Sequence, residues 1–155
     1  MERKTKINAP DGQQDLVITR EFDLPIDLLF KAYEEAELVE QWMGTKVLKL
    51  ENRRHGSWHF QTSNADGIVV FAAHGTIHEF IPGRRIVRTF EMENTPFPVQ
   101  LEFLEFEAIS DHTSKLTMHI IYKSAAHRTQ MLQLPFAQGI SMAHDRLQQT
   151  VNKLK

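Results

Sequence analysis

The sequence predicts an α+β domain that contains an initial strand, two short helices, an antiparallel meander of strands and a long C-terminal helix. Two changes of hydrophobic period predict this order. Apolar residues recur at helical spacing between residues 26 and 42, alternate with polar residues between 45 and 122, and return to helical spacing between 127 and 154. Five or six strands in succession, joined by short turns, are typical of an antiparallel meander.

The first 14 residues are predicted to form an N-terminal arm, and residues 15–155 to form a single domain. The arm is polar, its Pro10–Gly12 segment favours a turn, and Thr5–Asn8 is a candidate for a short strand. A chain of 155 residues is expected to bury about 68–70% of its unfolded surface, which is enough for a core without disulfides or metals.

The next part of the chain is predicted to form a strand and two short helices. Alternating residues from Asp15 to Phe22 favour a strand that ends before Pro25. Asp23 is placed to cap the first helix, and Pro25 suits its first turn because the amide hydrogen that proline lacks is unpaired there. The acidic segment 34–37 breaks the apolar stripe, which indicates two helices rather than one.

The remainder of the chain is predicted to form the meander and the terminal helix. Gly75, within the longest strand pattern, predicts a bulge or a bend. Pro135 removes one helical hydrogen bond and is expected to start, kink or interrupt the last helix. The apolar face predicted for this helix contains Phe136, Ile140, Ala143, His144, Leu147, Val151 and Leu154.

The composition excludes several classes of function. There are 18 Lys+Arg against 20 Asp+Glu, so no basic excess supports a nucleic-acid or anionic-membrane partner. The absence of cysteine excludes disulfides, thiolate metal ligands and a cysteine nucleophile. No apolar run approaches the roughly 20 residues that cross a bilayer, and the charged N-terminus lacks the apolar segment of a secretory signal. We therefore expect a soluble, cytoplasmic protein.

Four stretches of the chain resemble a known family in the same order. They are "ITREFDLPIDLLFKAYEEAELVEQWMG", "RHGSWHF", "GTIHEFIPGRRIVRTF" and "GISMAHDRL". They are similar to conserved segments of the family related to the C-terminal domain of the activator of heat-shock protein ninety ATPase. That family belongs to the SRPBCC superfamily of START and birch-pollen-allergen-like proteins. The resemblance, from about Leu16 to Leu154, implies a helix-grip fold, in which a curved antiparallel sheet wraps around the C-terminal helix.

The first stretch and the residue that follows it contain most of the matches and two of the departures. The matching positions are Arg20, Phe22, Pro25, Phe30, Ala32, Trp42 and Gly44. Met43 and Thr45 replace the second tryptophan and the proline of the family's W-W-G-P segment, which changes the predicted mouth of a pocket. In the terminal helix, Ile140 replaces a tryptophan and His144 replaces a leucine, so a titratable group stands where the family offers a hydrocarbon.

The implied fold suggests a ligand cavity between the sheet and the terminal helix, beneath the short helices. A bent sheet and one helix need not touch along their whole length, and such a gap is a usual site for a small ligand. The candidate ligand-binding residues are Trp42, Met43, Trp58, Phe60, His74, His78, Arg88, Phe90, Met118, Phe136, Ile140 and His144. The alternative is that these side chains only fill the core, which is the favoured interpretation of Trp42. Met43 suits either role because its thioether chain adapts to irregular gaps.

The orientation and role of the polar residues in this set can each be interpreted in more than one way. If Arg88 points inward with Phe90, it needs a carboxylate, ordered water or an anionic ligand; a local bulge that turns it to solvent is the alternative that we favour. His74 and His78 share a strand parity, but their spacing places them about 13 Å apart on a strand, so no metal site is expected. Histidines that hydrogen-bond a ligand, and histidines that are purely structural, are both compatible with the pattern. No cofactor is expected.

Three functions are compatible with the resemblance. The first is a binding module for a small hydrophobic or amphipathic ligand. The second is a co-chaperone-like domain that acts on a heat-shock ATPase, although only about 15 residues precede the fold and the extra N-terminal domain of two-domain co-chaperones is not expected. The third is an enzyme of the polyketide cyclase or hydrolase type, which would pair a cavity histidine with a glutamate such as Glu79 or Glu102. No catalytic residue is assigned, so an enzyme is less favoured. Sheet edges or the short helices would allow two copies to pair as a homodimer.

Overall fold

The structure is a computed structural model that describes residues 3–155. Its elements, in chain order, are β1 (Lys6–Asn8), β2 (Asp15–Phe22), α1 (Ile26–Glu34), α2 (Ala36–Met43), β3 (Lys46–Leu50), β4 (Ser57–Ser63), β5 (Val69–Ile81), β6 (Arg85–Met92), β7 (Gln100–Ala108), β8 (Ser114–Ile121), α3 (Ala125–Gln133) and α4 (Phe136–Asn152). This order confirms the predicted α+β class, including the short strand in the N-terminal arm. No helix in residues 3–155 is both long and apolar enough to cross a membrane.

The eight strands form one antiparallel sheet in the order β1-β2-β8-β7-β6-β5-β4-β3. Strands β3 to β8 are the predicted meander, and β2 joins it by pairing with β8. Register shifts in the β3–β4, β4–β5 and β5–β6 pairs place extra residues in one strand of each pair, which bends the sheet. The helices pack on the concave side of the resulting curved sheet, as the helix-grip fold requires.

The two short helices are separated at Glu35, as predicted. Glu35 has extended backbone angles (φ −92°, ψ 122°), so the helical hydrogen-bond pattern stops and restarts there. The prediction that Asp23 caps α1 is wrong, because Pro25 occupies the N-cap position and no side chain caps the helix. The amide of Asp23 donates instead to Oε1 of Gln148 in α4, at 2.8 Å.

The C-terminal helical segment is divided at Pro135, as predicted. Pro135 occupies the N-cap position of α4, where a proline costs little because its missing amide hydrogen has no partner to lose. The residues of the α4 inner face are the buried His144, Leu147 and Val151 and the half-buried Phe136, Ile140 and Ala143. The predicted place of Leu154 on this face is wrong, because α4 ends at Asn152 and 46% of Leu154 is exposed.

The buried apolar side chains form two clusters on the concave side. The larger cluster joins α1 and α4 to the strands around β2, β7 and β8, and contains Phe30 and Phe106. The smaller cluster joins α2 to β4 and β5, and contains Trp58 and Phe60. The strands between the two clusters, mainly β6 and the start of β7, position the candidate site.

Candidate functional site

A buried polar group occupies the middle of the concave face. The sheet register places Arg88 of β6 opposite Glu102 of β7. Nε of Arg88 donates to Oε1 of Glu102 at 3.1 Å, and Nε2 of Gln100 donates to the other carboxylate oxygen at 2.9 Å. Only 12% of the Arg88 side chain and 6% of the Glu102 side chain are exposed. The ion pair is therefore largely desolvated, and each charge depends on the other.

Arg88 points inward, which corrects the favoured expectation that a bulge turns it to solvent. The bulge of this region lies in β5, between Ile77 and Glu79, and the alternation of β6 continues through it. Arg88 therefore keeps the face of Phe90, and its guanidinium carbon lies 5.0 Å from the ring centroid of Trp58. The partner that the inward Arg88 requires is the carboxylate of Glu102.

Gly75 marks a close approach between strands, and the bulge itself lies further along β5. A Cβ atom at Gly75 would overlap the backbone carbonyl oxygen of Thr89 on β6. The same oxygen accepts a hydrogen bond from Nε1 of Trp58 at 3.1 Å. Trp58 packs against Phe60 and Phe90, with ring centroids 4.8 and 5.6 Å away. The absence of a side chain at Gly75 thus lets Trp58 lie against the sheet on the predicted inward face.

Several apolar side chains on the concave side are only partly buried. They are Met43, Phe80, Phe90 and Met92, together with Phe136 and Ile140 at the start of α4. Met43 and Phe80 contact both clusters, so they border the region that contains the ion pair. Phe80 faces inward because the β5 bulge reverses the parity of the strand after Ile77. The predicted residues Met43, Phe90, Phe136 and Ile140 are thus all half-buried on the concave side.

Two other predicted ligand residues are ordinary core residues. Trp42 is 4% exposed, its Nε1 donates to the carbonyl of Ala32 at 2.8 Å, and its ring packs against Tyr33 at 5.1 Å. Met118 is buried in the larger cluster beside its register partner Leu104. The structure therefore agrees with the core-packing interpretation of Trp42.

Tyr122 and His127, which the sequence did not single out as site residues, lie beside the polar group. Tyr122 follows β8 and continues its inward parity, which the register places next to Gln100. The Tyr122 hydroxyl and both ring nitrogens of His127 are buried and have no hydrogen-bond partner within residues 3–155. The His127 ring meets the Tyr122 ring edge-on at 4.9 Å and stacks on Phe97 at 6.0 Å.

Burial favours the neutral form of both of these groups. It raises the pKa of the Tyr122 hydroxyl, and the negative charge of Glu102 acts in the same direction. Burial also lowers the pKa of His127, with a smaller contribution from Lys123. Next to the Arg88–Glu102 pair, these two side chains therefore add hydrogen-bonding capacity without adding charge.

His74 and His78 lie on the outer face of the sheet, so their predicted interior position is corrected. Ile77 points inward, which sends His74 outward by strand alternation. The bulge that turns Phe80 inward leaves His78 exposed. The two histidines share one side of the strand, as predicted, but that side faces the solvent.

The outer face also carries a small histidine–carboxylate cluster. One carboxylate oxygen of Glu93 lies 2.7 Å from Nε2 of His59 and 3.1 Å from Nδ1 of His74. No three His, Asp or Glu side chains in the part of the chain that the structure describes are arranged to hold a metal ion. The cluster consists of two partly exposed imidazoles in polar contact with one carboxylate.

His144 is fully buried, but it faces the N-terminal arm and not the polar group. Its Nδ1 lies 2.7 Å from the Thr5 hydroxyl, and its ring meets Phe22 edge-on at 5.6 Å. Burial, followed by the charge of Arg20, lowers the pKa of His144 to about 4. Arg20 donates to Oδ1 of Asp145 at 2.9 Å, which completes a polar contact between β2, the arm and α4.

Five concavities of 310–540 Å³ open at the surface of the described chain, and none of these five is lined by the Arg88–Glu102 pair. The 540 Å³ concavity lies between β2 and α4, near Arg20 and Asp145. A concavity of 430 Å³ lies beside the outer histidine–carboxylate cluster. The candidate site is therefore a group of side chains on the concave face and not one of these five concavities.

The curved antiparallel sheet, the C-terminal helix and the concave polar group define a domain of the helix-grip class. The model of a family described as "Activator of Hsp90 ATPase homolog 1-like protein" matches residues 23–152. The chain belongs to this family, as the sequence resemblance implied. No curated protein is significantly similar to the chain in sequence.

Solved structures with the same fold come from several bacteria. A crystal structure of a Mycobacterium smegmatis protein is 21% identical, with 94% of each chain covered and a TM-score of 0.82. A crystal structure of a Rhodobacter sphaeroides protein is 16% identical, with 98% of this chain and 99% of that chain covered and a TM-score of 0.84. An NMR structure of an Arthrobacter aurescens protein is 12% identical, with 96% and 91% covered and a TM-score of 0.84. At these identities the likeness shows the fold alone.

Proposed function

We propose that the chain binds a small amphipathic molecule on the concave face, between the sheet and α4. The observation that carries this proposal is the desolvated pair of Arg88 and Glu102, bordered by half-buried aromatic and thioether side chains. Each Å² of apolar surface that stays in contact with water on the concave side lacks roughly 25 cal/mol of hydrophobic stabilisation. A molecule with an apolar body and a polar end would cover this surface and meet the polar group.

Binding is a better match to these side chains than catalysis. Both carboxylate oxygens of Glu102 are engaged, one by Arg88 and the other by Gln100. His127, which neighbours this group, lies between aromatic rings and has no carboxylate partner within residues 3–155 to orient it. General acid–base catalysis needs a base within hydrogen-bond reach of the proton it removes, oriented by a partner. The predicted cytoplasmic location, homodimer and chaperone partner stay predictions.

The proposal is tested by titrating the ¹⁵N-labelled protein with N-phenyl-1-naphthylamine, an uncharged probe whose fluorescence rises in apolar surroundings. We expect a saturable rise in fluorescence and shifts of the amide resonances of Met43, Phe90 and Gln100. Saturation with shifts confined to the exposed Ile68–Val70 segment would place the probe on the outer surface and contradict the proposal.

A pair of variants locates the probe independently. Met43→Trp enlarges a side chain that borders the concave polar group, so we expect probe affinity to fall at least tenfold, which corresponds to about 1.4 kcal/mol. Val70→Trp introduces the same ring at a position that is 60% exposed and should leave the affinity unchanged. Thermal unfolding of both variants verifies that each is folded. Equal affinities of Met43→Trp and the wild type would count against the concave site.

A further inference from the structure

Within residues 3–155, three buried polar atoms beside the proposed ligand site have no hydrogen-bond partner. They are the hydroxyl of Tyr122, which is 1% exposed, and the two ring nitrogens of His127, which is 3% exposed. The great majority of buried polar side-chain atoms in folded proteins have a hydrogen-bond partner. Two adjacent side chains that both lack one therefore indicate that a molecule outside residues 3–155, water or a ligand, supplies it.

These atoms belong to the same side of the sheet as the polar group. Leu101 pairs with Ile121, so the next position along each strand places Gln100 beside Tyr122. Gln100 in turn lies opposite Phe90 on β6. A molecule resting on Phe90 would have Gln100 and Tyr122 next to it along one row of the sheet.

We infer that the ligand of the proposed site presents an uncharged hydrogen-bonding group, such as a hydroxyl, to Tyr122 and His127, with its apolar body against Phe90. This inference rests on the proposed function and specifies the chemistry of its ligand. A neutral imidazole offers one donor and one acceptor, and a phenol hydroxyl offers both, so a ligand hydroxyl can donate to one of them and accept from the other.

The charges around the site favour an uncharged group over an acid. The guanidinium of Arg88 is already paired with Glu102, and a ligand carboxylate would have to lie close to that carboxylate. Two further cations lie near the site: Arg128, whose buried Nε has no hydrogen-bond partner within residues 3–155, and Lys123, which is exposed and acts on His127. The two terminal nitrogens of Arg128 donate to the carbonyls of Asp15 and Ala9, at 2.9 and 3.5 Å, which directs the guanidinium toward the arm. Arg88 and Arg128 are thus engaged by other groups, and the exposed ammonium of Lys123 is screened by water and contributes little to an ion pair.

Three probes with one ring system test the inference: naphthalene, 2-naphthol and 2-naphthoate, titrated at pH 7.5 and followed by protein NMR. We expect the wild type to bind 2-naphthol at least tenfold more tightly than 2-naphthoate. Tyr122→Phe should weaken 2-naphthol about fivefold to tenfold, as the loss of one neutral hydrogen bond does, and leave naphthalene unchanged. Because the Tyr122 hydroxyl has no partner in the described chain, this variant is expected to fold normally.

A second variant guards against an indirect effect of the first. His127→Phe keeps an aromatic ring against Phe97 and should also weaken 2-naphthol selectively. The inference is overturned if 2-naphthoate binds as tightly as 2-naphthol, or if both variants bind 2-naphthol like the wild type. If N-phenyl-1-naphthylamine still binds on the concave face in that case, only the inference fails. If no probe binds there, the proposed function fails with it.

Discussion

Replacing Arg88 with methionine should destabilise the fold strongly, because it leaves the Glu102 carboxylate buried without its cation. The remaining partner of that carboxylate is the uncharged amide of Gln100. Removing one member of a buried ion pair costs about 3–5 kcal/mol. The lost contact between the guanidinium and the Trp58 ring, 5.0 Å apart, adds about 0.5–1 kcal/mol. Because 12% of the Arg88 side chain is exposed, we expect a total near the lower end of the summed range, about 3.5 kcal/mol.

The measurement is the free energy of unfolding in urea at pH 7, and β6 provides a matched control. Arg85 lies on the opposite face of the same strand and pairs with Glu79 and Glu105, but 38% of its side chain is exposed. Arg85→Met should therefore cost less than about 1 kcal/mol. The double variant Arg88→Met/Glu102→Leu removes both buried charges and should recover most of the lost stability, because apolar replacement of a whole buried pair is often neutral.

Two results would refute this reasoning. Equal costs for Arg88→Met and Arg85→Met would mean that the concave ion pair is as well hydrated as the surface one. A double variant no more stable than the single Arg88→Met variant would mean that an unpaired Glu102 carboxylate is not the source of the instability.

Two further predictions concern Gly75 and His144. Gly75→Ala should destabilise the fold by about 1–3 kcal/mol in thermal unfolding, since its methyl would overlap the Thr89 carbonyl oxygen. The control is Gly139→Ala, whose Cβ meets nothing within 4 Å and which should stabilise α4 by up to about 1 kcal/mol. Similar effects of the two substitutions would disprove the close approach at Gly75. The folded pKa of His144, about 4, lies below the unfolded value of 6.5, so the unfolded state binds more protons between these values and stability falls as the pH decreases through this window. Between pH 7 and pH 5 the wild type should lose about 2 kcal/mol more than His144→Leu in urea unfolding, and equal losses would show that His144 does not titrate differently on folding.

Local patterns were sufficient for most of the secondary structure. The break at Glu35, the division at Pro135 and the inward face of Trp58 and Phe60 all follow from residues within one or two turns or along one strand. The predicted Asp23 cap is wrong because Asp23 and Pro25 were both suited to begin the same helix, and Pro25 occupies the N-cap position. The amide of Asp23 bonds to a residue of α4, and no local pattern contains that partner.

The histidines of β5 show where alternation stops being sufficient. Alternation groups His74 with His78 but does not say which side of the sheet they face. That side is decided by the partners of Ile77 on the neighbouring strands, and the bulge that follows turns Phe80 inward. The same bulge explains why Arg88 faces inward. The irregularity expected near Arg88 lies in β5, so β6 keeps its alternation.

The site residues that the sequence did not identify depend on the same long-range geometry. Tyr122 shares its parity with Met118, and this signal was visible in the sequence. The signal for His127 was not visible, because α3 has little hydrophobic asymmetry. The ring of His127 reaches the site by packing on Tyr122 and on Phe97, which lie outside α3. The sequence analysis named Glu102 only as a candidate glutamate for an acid–base pair, and its engagement by Arg88 required the β6–β7 register.

The sequence alone determined the order of strands and helices, the family and the exclusion of thiol chemistry, because each depends on residue type and on spacing within a short stretch. The tertiary structure decided which polar side chains face the concave side and which of them are paired. Those outcomes depend on strand register and on the position of a single bulge, which moves side chains from one face of the sheet to the other. Such a shift changes burial and hydrogen bonding without changing the hydrophobic pattern of the strand that carries the affected residue.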